Sequence, residues 1–586
     1  MENKKTCKIS KPWLVLLILL AVYLICVCAA RVVDTNHGTV DIQDVYYTSN
    51  FDGALLHGRI YIPETATKEN PAPAVIYYHG NDGDCDKYSM IAVELSRRGY
   101  VVMLGDIRNQ GQSVGANASI AGGDTFGINE TAEYIRALSM VDKDNVIVGG
   151  HSLGGIGAVN SYAQHPDYYS GLLIFGIGSS MIENGVKDNP NVDVYLVTGR
   201  DDNDSVDHTN VARFFGNCDV SEFEPNKVYG SYEEGNARLN YQAMNAVHNS
   251  EYVNKDVLAS AIDFVQGSAP APNPIPGEKQ VWMWRYLLTT IAFAALLAML
   301  LPLGSILLDT PFFSQIRKPL PEFKGNTGAK WWIYAVLTAV IAPATYFSWT
   351  SLGEKWLPLK IFNIRRATLT LGWTLMIMGV TIAILIIGYF ITKKEKRPAL
   401  ANYGVCYEKG EALPVILKSL LLSVLLVLGI YSLQAVTYKW TLIDIRIWNS
   451  SFRVLNWVRV KRVLIYFLPF ALAYTVTAVN LHGTLRPKSG KVSILVEVLV
   501  NILLLAPLYY VWMIWFGPFA WLKAHGALPS FSGFMYSFFW ALPITMTIIA
   551  TVSTWFFRKT GRVYLGAFVN AWLVCWTLLG GFSLYA

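Results

Sequence analysis

The stretch Asn145-Val-Ile-Val-Gly-Gly-His-Ser-Leu-Gly-Gly155 decides the fold of the first half of this chain. An apolar run with strand propensity leads into a Gly-x-Ser-x-Gly sequence around Ser152, and residues 156–164 have the composition of a helix. A strand, a sharp turn carrying a serine and a helix are together typical of a nucleophile elbow, which lifts the serine hydroxyl above a sheet. The sequence therefore predicts that Ser152 is a reactive serine at the end of a buried strand.

Short apolar runs on both sides of this stretch alternate with helix-length segments between residues 40 and 267. Such alternation is typical of βαβ units, whose strands lie parallel in one sheet with helices on its faces. We therefore expect an α/β domain with a mostly parallel sheet. The predicted strands are Ala74–Tyr78, Tyr100–Leu104, Asn145–Val148, Gly171–Phe175 and Val192–Val197.

The composition divides the chain into two unlike halves. Of 586 residues, 53% are hydrophobic and only 15% are charged, and the mean hydropathy is +0.33. A soluble domain has about 25% charged residues, so these values exclude a single water-soluble globule and a disordered chain. Residues 31–280 contain 33 acidic and 16 basic residues, a net charge near −17, whereas residues 281–586 contain 8 and 28, a net charge near +20. The basic residues lie in loops between long apolar runs, so no nucleic-acid partner is expected.

Nine apolar runs are long enough to cross a bilayer, whose hydrocarbon core is about 30 Å thick. The first, Pro12–Ala30, follows four lysines and ends in a poor cleavage site, so it predicts a retained anchor and not a signal peptide. Four loops between the runs are basic, so the positive-inside rule predicts nine spans with a cytoplasmic N-terminus. The acidic domain then lies outside the cytoplasm. The other eight runs centre on residues 283–307, 331–352, 368–392, 413–436, 463–481, 493–516, 533–556 and 563–583.

Two loops on the predicted outer side, 353–367 and 437–462, are also basic and mix aromatic residues with arginine. They are interpreted either as a pair of interfacial helices on the outer leaflet or as ordinary aromatic residues of the membrane interface. Both alternatives are open from the sequence.

Three further motifs make residues 40–267 resemble the α/β-hydrolase superfamily, in particular its serine aminopeptidase and lysophospholipase-like branch. His79-Gly-Asn-Asp-Gly83 follows the first predicted strand, like the HG loop of the family. Asp106-Ile-Arg-Asn-Gln-Gly-Gln-Ser113 follows the next strand, like the family's D-x-R-x-x-G-x-S segment. A late histidine, His248, precedes a helix, and an aspartate-rich loop lies before it, in the family's order. The resemblance implies the α/β-hydrolase fold for this part and leaves the helical half without a family.

The resemblance implies a catalytic triad of Ser152, His248 and an aspartate. A serine hydroxyl is a weak nucleophile until a base removes its proton, which is the role expected for His248. Asp202 is the preferred acid, because it lies three residues after the glycine that ends the preceding strand, as in the family. Asp204 and Asp201 are the alternative acids.

The oxyanion of a tetrahedral intermediate would be bound by the backbone amides of Leu153 and Asn81. Many members of the family have a lid after the sixth strand, but here the gap from Phe175 to Val192 is too short for a helical lid. The site is therefore expected to be either open to water or covered by something outside the domain, and the membrane half, with loops 353–367 and 437–462 on the same side, is the candidate cover.

No cofactor and no metal are expected. The segment 82–86 (Asp-Gly-Asp-Cys-Asp) resembles the start of a calcium loop, but Val93 stands where a bidentate glutamate is required. The seven cysteines stand singly without ligand spacing, and Cys85 and Cys218 could pair only outside the cytoplasm.

His57 is expected at the protein surface, with no part in the site.

Four parts follow from these patterns. They are a cytoplasmic N-terminus with an anchor (1–30), an extracytoplasmic α/β-hydrolase domain (31–266), a proline-rich linker (267–280) and an eight-helix transmembrane domain (281–586).

The expected function is that of an integral membrane serine hydrolase, esterase- or lipase-like, which cleaves a small-molecule or lipid ester and is surrounded by membrane lipids. One alternative is an acyltransferase or peptidase with the same triad. Another is a transporter or lipid-handling protein whose hydrolase-like domain is not catalytic. The sequence does not specify the substrate or the oligomeric state.

Overall fold

Nine strands form one sheet in the first half of the chain, in the order β1-β2-β4-β3-β5-β6-β7-β9-β8. The computed structural model describes residues 10–116, 119, 122–199, 207–447, 450–487, 492–507 and 541–580. The six strands from β4 to β9 in this order are parallel, and β1, β2 and β8 pair antiparallel with their neighbours. The strands are β1 Val40–Thr48, β2 Leu55–Pro63, β3 Ala72–Tyr78, β4 Val101–Gly105, β5 Val141–His151, β6 Gly171–Phe175, β7 Asp193–Gly199, β8 Val228–Tyr229 and β9 Arg238–Ala243.

Helices cover both faces of this sheet and form most of the second half. In the first half they are α1 Lys11–Asp34, α2 Ser89–Ser96, α3 Ile128–Arg136, α4 Leu153–Gln164, α5 Ser179–Val186 and α6 Lys255–Ser268. In the second half, the described helices of eight or more residues are α7 Trp282–Ala298, α8 Leu300–Leu308, α9 Gly328–Thr350, α10 Arg365–Ile391, α11 Ala412–Thr441, α12 Trp457–Val479, α13 Ile494–Leu505, α14 Leu542–Thr560 and α15 Tyr564–Gly580.

The central strands are buried on both faces, as expected for a parallel sheet between two layers of helices. Every residue of β3, β4, β6 and β7 is buried. The five predicted strands are all present, each within a few residues of its expected bounds. The first half therefore has the predicted α/β-hydrolase fold, and a large helical region with several apolar helices follows it.

The expectation that His57 lies at the surface is wrong. It lies on β2 and is buried, with Nδ1 2.7 Å from Asp106 Oδ2 and Nε2 3.4 Å from Asp44 Oδ1. Burial alone would lower the pKa of His57, but the two carboxylates raise it to about 9. An ion pair therefore stabilises this position in the core. Cys85, whose Sγ lies 4.0 Å from His57 Nδ1, is a free thiol, and so is Cys218.

Several helices are long and apolar enough to span a membrane, which supports a membrane protein. Among the described residues five helices meet this criterion, and a sixth does if the bent pair Gly328–Tyr346 and Ser348–Trp356 is one span. Each of the nine predicted runs overlaps a described helix, but α13 and α15 are shorter. Helix length and composition thus support five or six spans, and the prediction of nine exceeds what the described residues support. The five are Lys11–Asp34, Trp282–Leu308, Arg365–Ile391, Ala412–Thr441 and Trp457–Thr484.

The basic loops predicted for one side of the membrane contact one another. The Lys318 N–H donates to Thr560 O at 2.9 Å, and the Arg486 guanidinium donates to Pro321 O at 2.7 Å. At the other end of α10, loops 353–367 and 437–462 contact the sheet domain. The 27 residues of α10 span about 40 Å between the two ends.

The proline-rich segment 267–280 packs against the sheet domain. The Arg98 guanidinium donates to Ile275 O and Pro276 O, both at 2.8 Å, and the Asn273 N–H donates to Arg98 O at 3.0 Å. Just after this segment, an ion pair joins the two predicted domains. The buried Arg285 of α7 has its Nε 2.8 Å from Asp34 Oδ1. The segment predicted as a spacer is thus fixed at several points.

Candidate active site

Ser152 occupies a strained turn between β5 and α4. Its φ is +52° and its ψ is −115°, a backbone conformation that costs a non-glycine residue about 1–3 kcal/mol. The turn persists because the Ser152 N–H donates to Phe175 O at 2.8 Å and Ser152 O accepts from Ile156 N at 3.0 Å. Such strain is common where the surrounding structure fixes a functional side chain. This is the geometry predicted for a nucleophile elbow.

The glycines on either side of Ser152 are required by close backbone approach. A Cβ on Gly150 would lie 2.4 Å from the carbonyl carbon of Gly154, and one on Gly154 would lie 2.5 Å from Tyr78 O. Both atoms are backbone atoms that cannot rotate away. The Gly-x-Ser-x-Gly pattern therefore allows α4 to begin directly against the carboxyl end of β3.

His248 lies at the same edge of the sheet as Ser152. Its ring centroid is 4.5 Å from that of His151, the residue before the serine, and His248 O accepts from His151 Nε2 at 2.8 Å. A Cβ on Gly176, which follows β6, would come within 2.7 Å of the His248 ring. The late histidine of the sequence is thus placed beside the elbow, although about 96 residues separate them along the chain.

The three aspartates proposed as acids, Asp202, Asp204 and Asp201, lie outside the described residues. The strand that precedes them, β7, ends at Gly199, where a Cβ would lie 3.1 Å from His248 N. The described part of β7 therefore ends next to the histidine. No finding tests which aspartate is the acid.

The backbone amides of Leu153 and Asn81, named from the sequence as oxyanion donors, lie close to Ser152 along the chain or in the fold. Leu153 is the first residue of α4, so its N–H has no partner within the helix. Asn81 follows Gly80, at which a Cβ would lie 3.4 Å from Ser152 Cβ. Within the residues that the structure describes, the Asn81 N–H donates to no protein acceptor. No finding tests whether these two amides bind an oxyanion, so their role stays a prediction.

His79 and His151 are occupied by structural hydrogen bonds. His79 Nε2 accepts from the Ile107 N–H at 3.0 Å, and its Nδ1 lies 2.7 Å from Gly80 O. His151 Nδ1 lies 2.9 Å from the Tyr88 hydroxyl oxygen. Burial lowers the pKa of both histidines, and for His151 the neighbouring His248 and a lysine lower it further. Both are therefore neutral residues that fix the backbone around the elbow.

Glu251 is a carboxylate at the site that sequence reasoning missed. It is buried in the 3₁₀ turn that begins at His248, and its Oε2 lies 3.6 Å from His151 Nε2. The only signal was its position three residues after His248, which places both side chains on one face of a helical turn. Ligand atoms of His151, His248 and Glu251 lie within 4.8 Å of one another, so among the described residues of the site these three could hold a metal ion. The hydrogen bonds of both His151 ring nitrogens to protein groups weigh against that use.

Lys87 is a buried cation close to the site. Only 8% of its surface is exposed, and its Nζ lies 5.1 Å from the centre of the Tyr252 ring. Burial, together with the positive charges of Arg366 and Arg446, lowers the pKa of Lys87 to about 7. The folded protein therefore disfavours the charged form of this side chain.

Replacing Lys87 with methionine is expected to change how stability depends on pH. Between about pH 7 and pH 10.5 the folded protein releases the Lys87 proton while the unfolded chain keeps it, so stability rises with pH over this range. The Lys87→Met variant lacks this rise, and its Tm should exceed that of the wild type by several degrees at pH 6 but not at pH 10. Thermal unfolding of the full chain in detergent measures this.

The exposed Lys68 provides the control for that comparison. Lys68→Met should follow the wild-type curve at every pH. Parallel curves for wild type and Lys87→Met would contradict the assignment of a lowered pKa to Lys87.

The loop after the HG motif is paired with arginines of the membrane half. We name residues 82–86 the acidic loop. Arg366 Nε donates to Asp82 Oδ2 at 2.8 Å, and Arg446 Nη2 donates to Asp84 Oδ1 at 2.7 Å. Arg453 Nη1 lies 3.1 Å from Asp84 Oδ2. The calcium-like pattern of this loop is thus used for ion pairs between the two halves.

The interpretation of the basic loops 353–367 and 437–462 as interfacial helices is wrong for the described residues. The first contains a helix of only five residues, Leu352–Trp356, and the second contains a two-residue hairpin, Arg446–Ile447 with Ser450–Ser451. Arg366, Arg446 and Arg453 of these loops pair with the acidic loop. Loop 353–367 pairs with Asp82 of the HG loop, and loop 437–462 pairs with Asp84 just beyond it. No finding tests whether the two loops cover the site.

Comparison with known proteins gives a match to the middle of the first half. Residues 69–182 match the family model described as serine aminopeptidase, S33. This range includes the HG loop, the D-x-R-x-x-G-x-S segment and Ser152, and it ends before the aspartate-rich loop and His248. The match and the sheet topology together support the α/β-hydrolase fold of the first half.

Two curated relatives cover part of the same region. The chain is 27% identical over 139 residues to a monoglyceride lipase of Rattus norvegicus and 25% identical over 139 residues to one of Mus musculus. These alignments cover 23% of this chain and 43% of each relative, so the chain spans less than half the length of the relatives it matches. Among solved structures, an S-formylglutathione hydrolase from Agrobacterium tumefaciens is similar at 17% identity and a TM-score of 0.22, covering 28% of this chain and 76% of that one.

Proposed function

We propose that this chain is a membrane-embedded serine hydrolase that cleaves a carboxylic ester with a lipophilic part through an acyl-enzyme on Ser152. The observation that carries the proposal is the strained elbow at Ser152 with His248 at the same sheet edge. The match to a hydrolase family model and the similarity to monoglyceride lipases support an esterase- or lipase-like enzyme. The apolar helices support a substrate drawn from the membrane.

In the proposed reaction His248 removes the Ser152 proton as the hydroxyl oxygen attacks the ester carbonyl. The carbonyl oxygen becomes an oxyanion, to which the Leu153 and Asn81 amides donate. Collapse of the tetrahedral intermediate breaks the ester bond, and His248 passes its proton to the leaving alcohol. Asp202 keeps the imidazole in the required tautomer and stabilises the imidazolium.

Water then attacks the acyl-enzyme, with His248 again acting as the base, and releases the acid. With an alcohol or amine in place of water, the same intermediate would serve an acyltransferase, and with an amide substrate the enzyme would be a peptidase.

The proposal includes a membrane topology. In it, α1 and the apolar helices lie in a bilayer as nine spans, the N-terminus is cytoplasmic and residues 31–266 lie outside. The proposal also divides the rest of the chain into a linker, residues 267–280, and a membrane domain, residues 281–586.

The test uses the detergent-purified full chain. A fluorophosphonate probe should label it, and peptide mass spectrometry should place the adduct on Ser152. Turnover should be measured on p-nitrophenyl esters of increasing chain length and on a monoacylglycerol. We expect labelling and a preference for long chains, and a folded protein that neither reacts with the probe nor turns over any ester would contradict the proposal.

A further inference from the structure

The segment that carries the proposed oxyanion amide of Asn81 is held from both halves of the chain. From the hydrolase domain, Gln110 Oε1 accepts from the Asp82 N–H at 2.6 Å, and Gln110 Nε2 donates to Asn81 Oδ1 at 3.0 Å. From the membrane half, Arg366 Nε donates to Asp82 Oδ2 at 2.8 Å. Asp82 and Arg366 are only 6% and 3% exposed. A buried pair that joins the two halves therefore lies one residue away from this amide.

The backbone at Asp82 needs such support. Its φ is +58°, in the left-handed region that a non-glycine residue occupies at a cost of about 1–3 kcal/mol. A strained residue keeps its conformation only where its surroundings fix it. The Gln110 amide fixes the backbone of Asp82, and the Arg366 guanidinium fixes its side chain.

A second aspartate of the acidic loop also pairs with arginines of the membrane half. Arg446 and Arg453, both from the loop 437–462, pair with Asp84. Burial alone would raise the pKa of Asp84, but these two arginines lower it to about 2. Asp84 is therefore ionised at neutral pH, and the loop keeps its negative charge towards the membrane half.

We propose that Arg366 is a positioning residue for the hydrolase reaction, which acts through Asp82 to hold the oxyanion-binding amide of Asn81 beside Ser152. The inference rests on the proposed function and makes the membrane half part of the catalytic arrangement. Arg366 touches no reacting atom. Its effect is on the geometry of an amide whose hydrogen bond forms fully only in the transition state.

Loss of this support should therefore lower kcat and leave KM nearly unchanged. Removing one oxyanion donor outright costs about 10²–10³ in turnover, and a displaced donor should cost about 10–100-fold. The Arg366→Met and Asp82→Asn variants of the full chain should both show this loss, with KM within about threefold of wild type. The Arg366→Lys variant keeps the charge and should recover part of kcat.

The two partners should also be coupled. Because each variant breaks the same pair, the double variant Arg366→Met with Asp82→Asn should be little slower than the slower single variant. Independent effects would instead multiply. Asp82→Asn keeps the shape of the side chain, so it serves as the test if Arg366→Met fails to fold.

Arg365 is the matched control. It is the neighbouring residue on the same helix, and its Nε lies 3.4 Å from Oε1 of the half-exposed Glu354, within the membrane half. Arg365→Met should keep kcat within about twofold of wild type. Thermal unfolding in detergent reports the stability of all variants.

The outcomes separate the inference from the function on which it rests. A wild type without probe labelling or ester turnover overturns the proposed function, and the inference with it. An active wild type whose Arg366→Met and Asp82→Asn variants retain kcat overturns the inference alone. A loss that appears only in KM, or that multiplies in the double variant, also overturns it.

Discussion

Replacing Ser152 with alanine is expected to lower ester turnover by about 10⁴-fold or more and to abolish labelling by the fluorophosphonate probe. The nucleophile and its base act as a unit, and removing either from a Ser–His–Asp site costs about 10⁴–10⁶ in turnover. Alanine has no hydroxyl to attack the carbonyl. It has a Cβ like serine, so the strained φ of +52° and the packing of the elbow change little. The Tm in detergent should therefore stay within a few degrees of the wild type.

Ser180 is the control for this variant, since it is an exposed serine on α5 at a distance in sequence from the elbow. Ser180→Ala should label and turn over like wild type. Retained turnover in a folded Ser152→Ala variant would show that another group carries the chemistry, and the acyl-enzyme mechanism would be wrong.

The second large effect is expected at the acid. Asp202→Asn should lower kcat by about 10⁴-fold, because an asparagine amide beside His248 favours the wrong tautomer and cannot stabilise the imidazolium. Asp204→Asn and Asp201→Asn should each cost less than about tenfold. Initial rates on a soluble ester across pH 5 to 9 measure these effects.

The buried Glu251 makes this comparison informative. Its carboxylate lies near the His151 and His248 rings, so it is the competing acid that the structure offers. If Glu251→Gln were as damaging as expected for Asp202→Asn while the three aspartate variants remained active, the acid would be Glu251 and the assignment taken from the family would be wrong.

The elbow and its sheet could be predicted because their sequence patterns are local. The run 146–150 is apolar and ends in two glycines just before His151 and Ser152, so one stretch indicates a buried strand, a turn and a helix. The central strands β3, β4, β6 and β7 are buried on both faces and therefore appear as continuous apolar runs. The match of residues 69–182 to a hydrolase model covers the same local motifs.

The features that sequence reasoning missed depend on partners far along the chain. β2 contains His57 and Arg59, polar residues that are typical of a surface, yet both are buried because Asp44, Asp106 and Asp86 pair with them. β9 is rich in polar residues and was likewise not predicted. A buried ion pair requires both members, and no local pattern indicates the second.

The same reason applies to the acidic loop. Its three aspartates resembled a metal loop because the sequence shows the carboxylates without their counter-ions. The arginines that pair with them, Arg366, Arg446 and Arg453, stand about 280 to 370 residues later. The expectation that loops 353–367 and 437–462 cover the site came from the predicted topology. The ion pairs through which they contact the acidic loop could not be predicted, because they depend on side-chain positions.

The pairing of the acidic loop has a consequence for how the protein is made. A ribosome completes the hydrolase domain first, and domains generally fold in the order of synthesis. The Asp82 and Asp84 carboxylates then have no partner arginine until the segments that carry Arg366, Arg446 and Arg453 have been synthesised and inserted. Under the proposed function and the proposed role of Arg366, the domain would acquire its full activity only when membrane integration is complete.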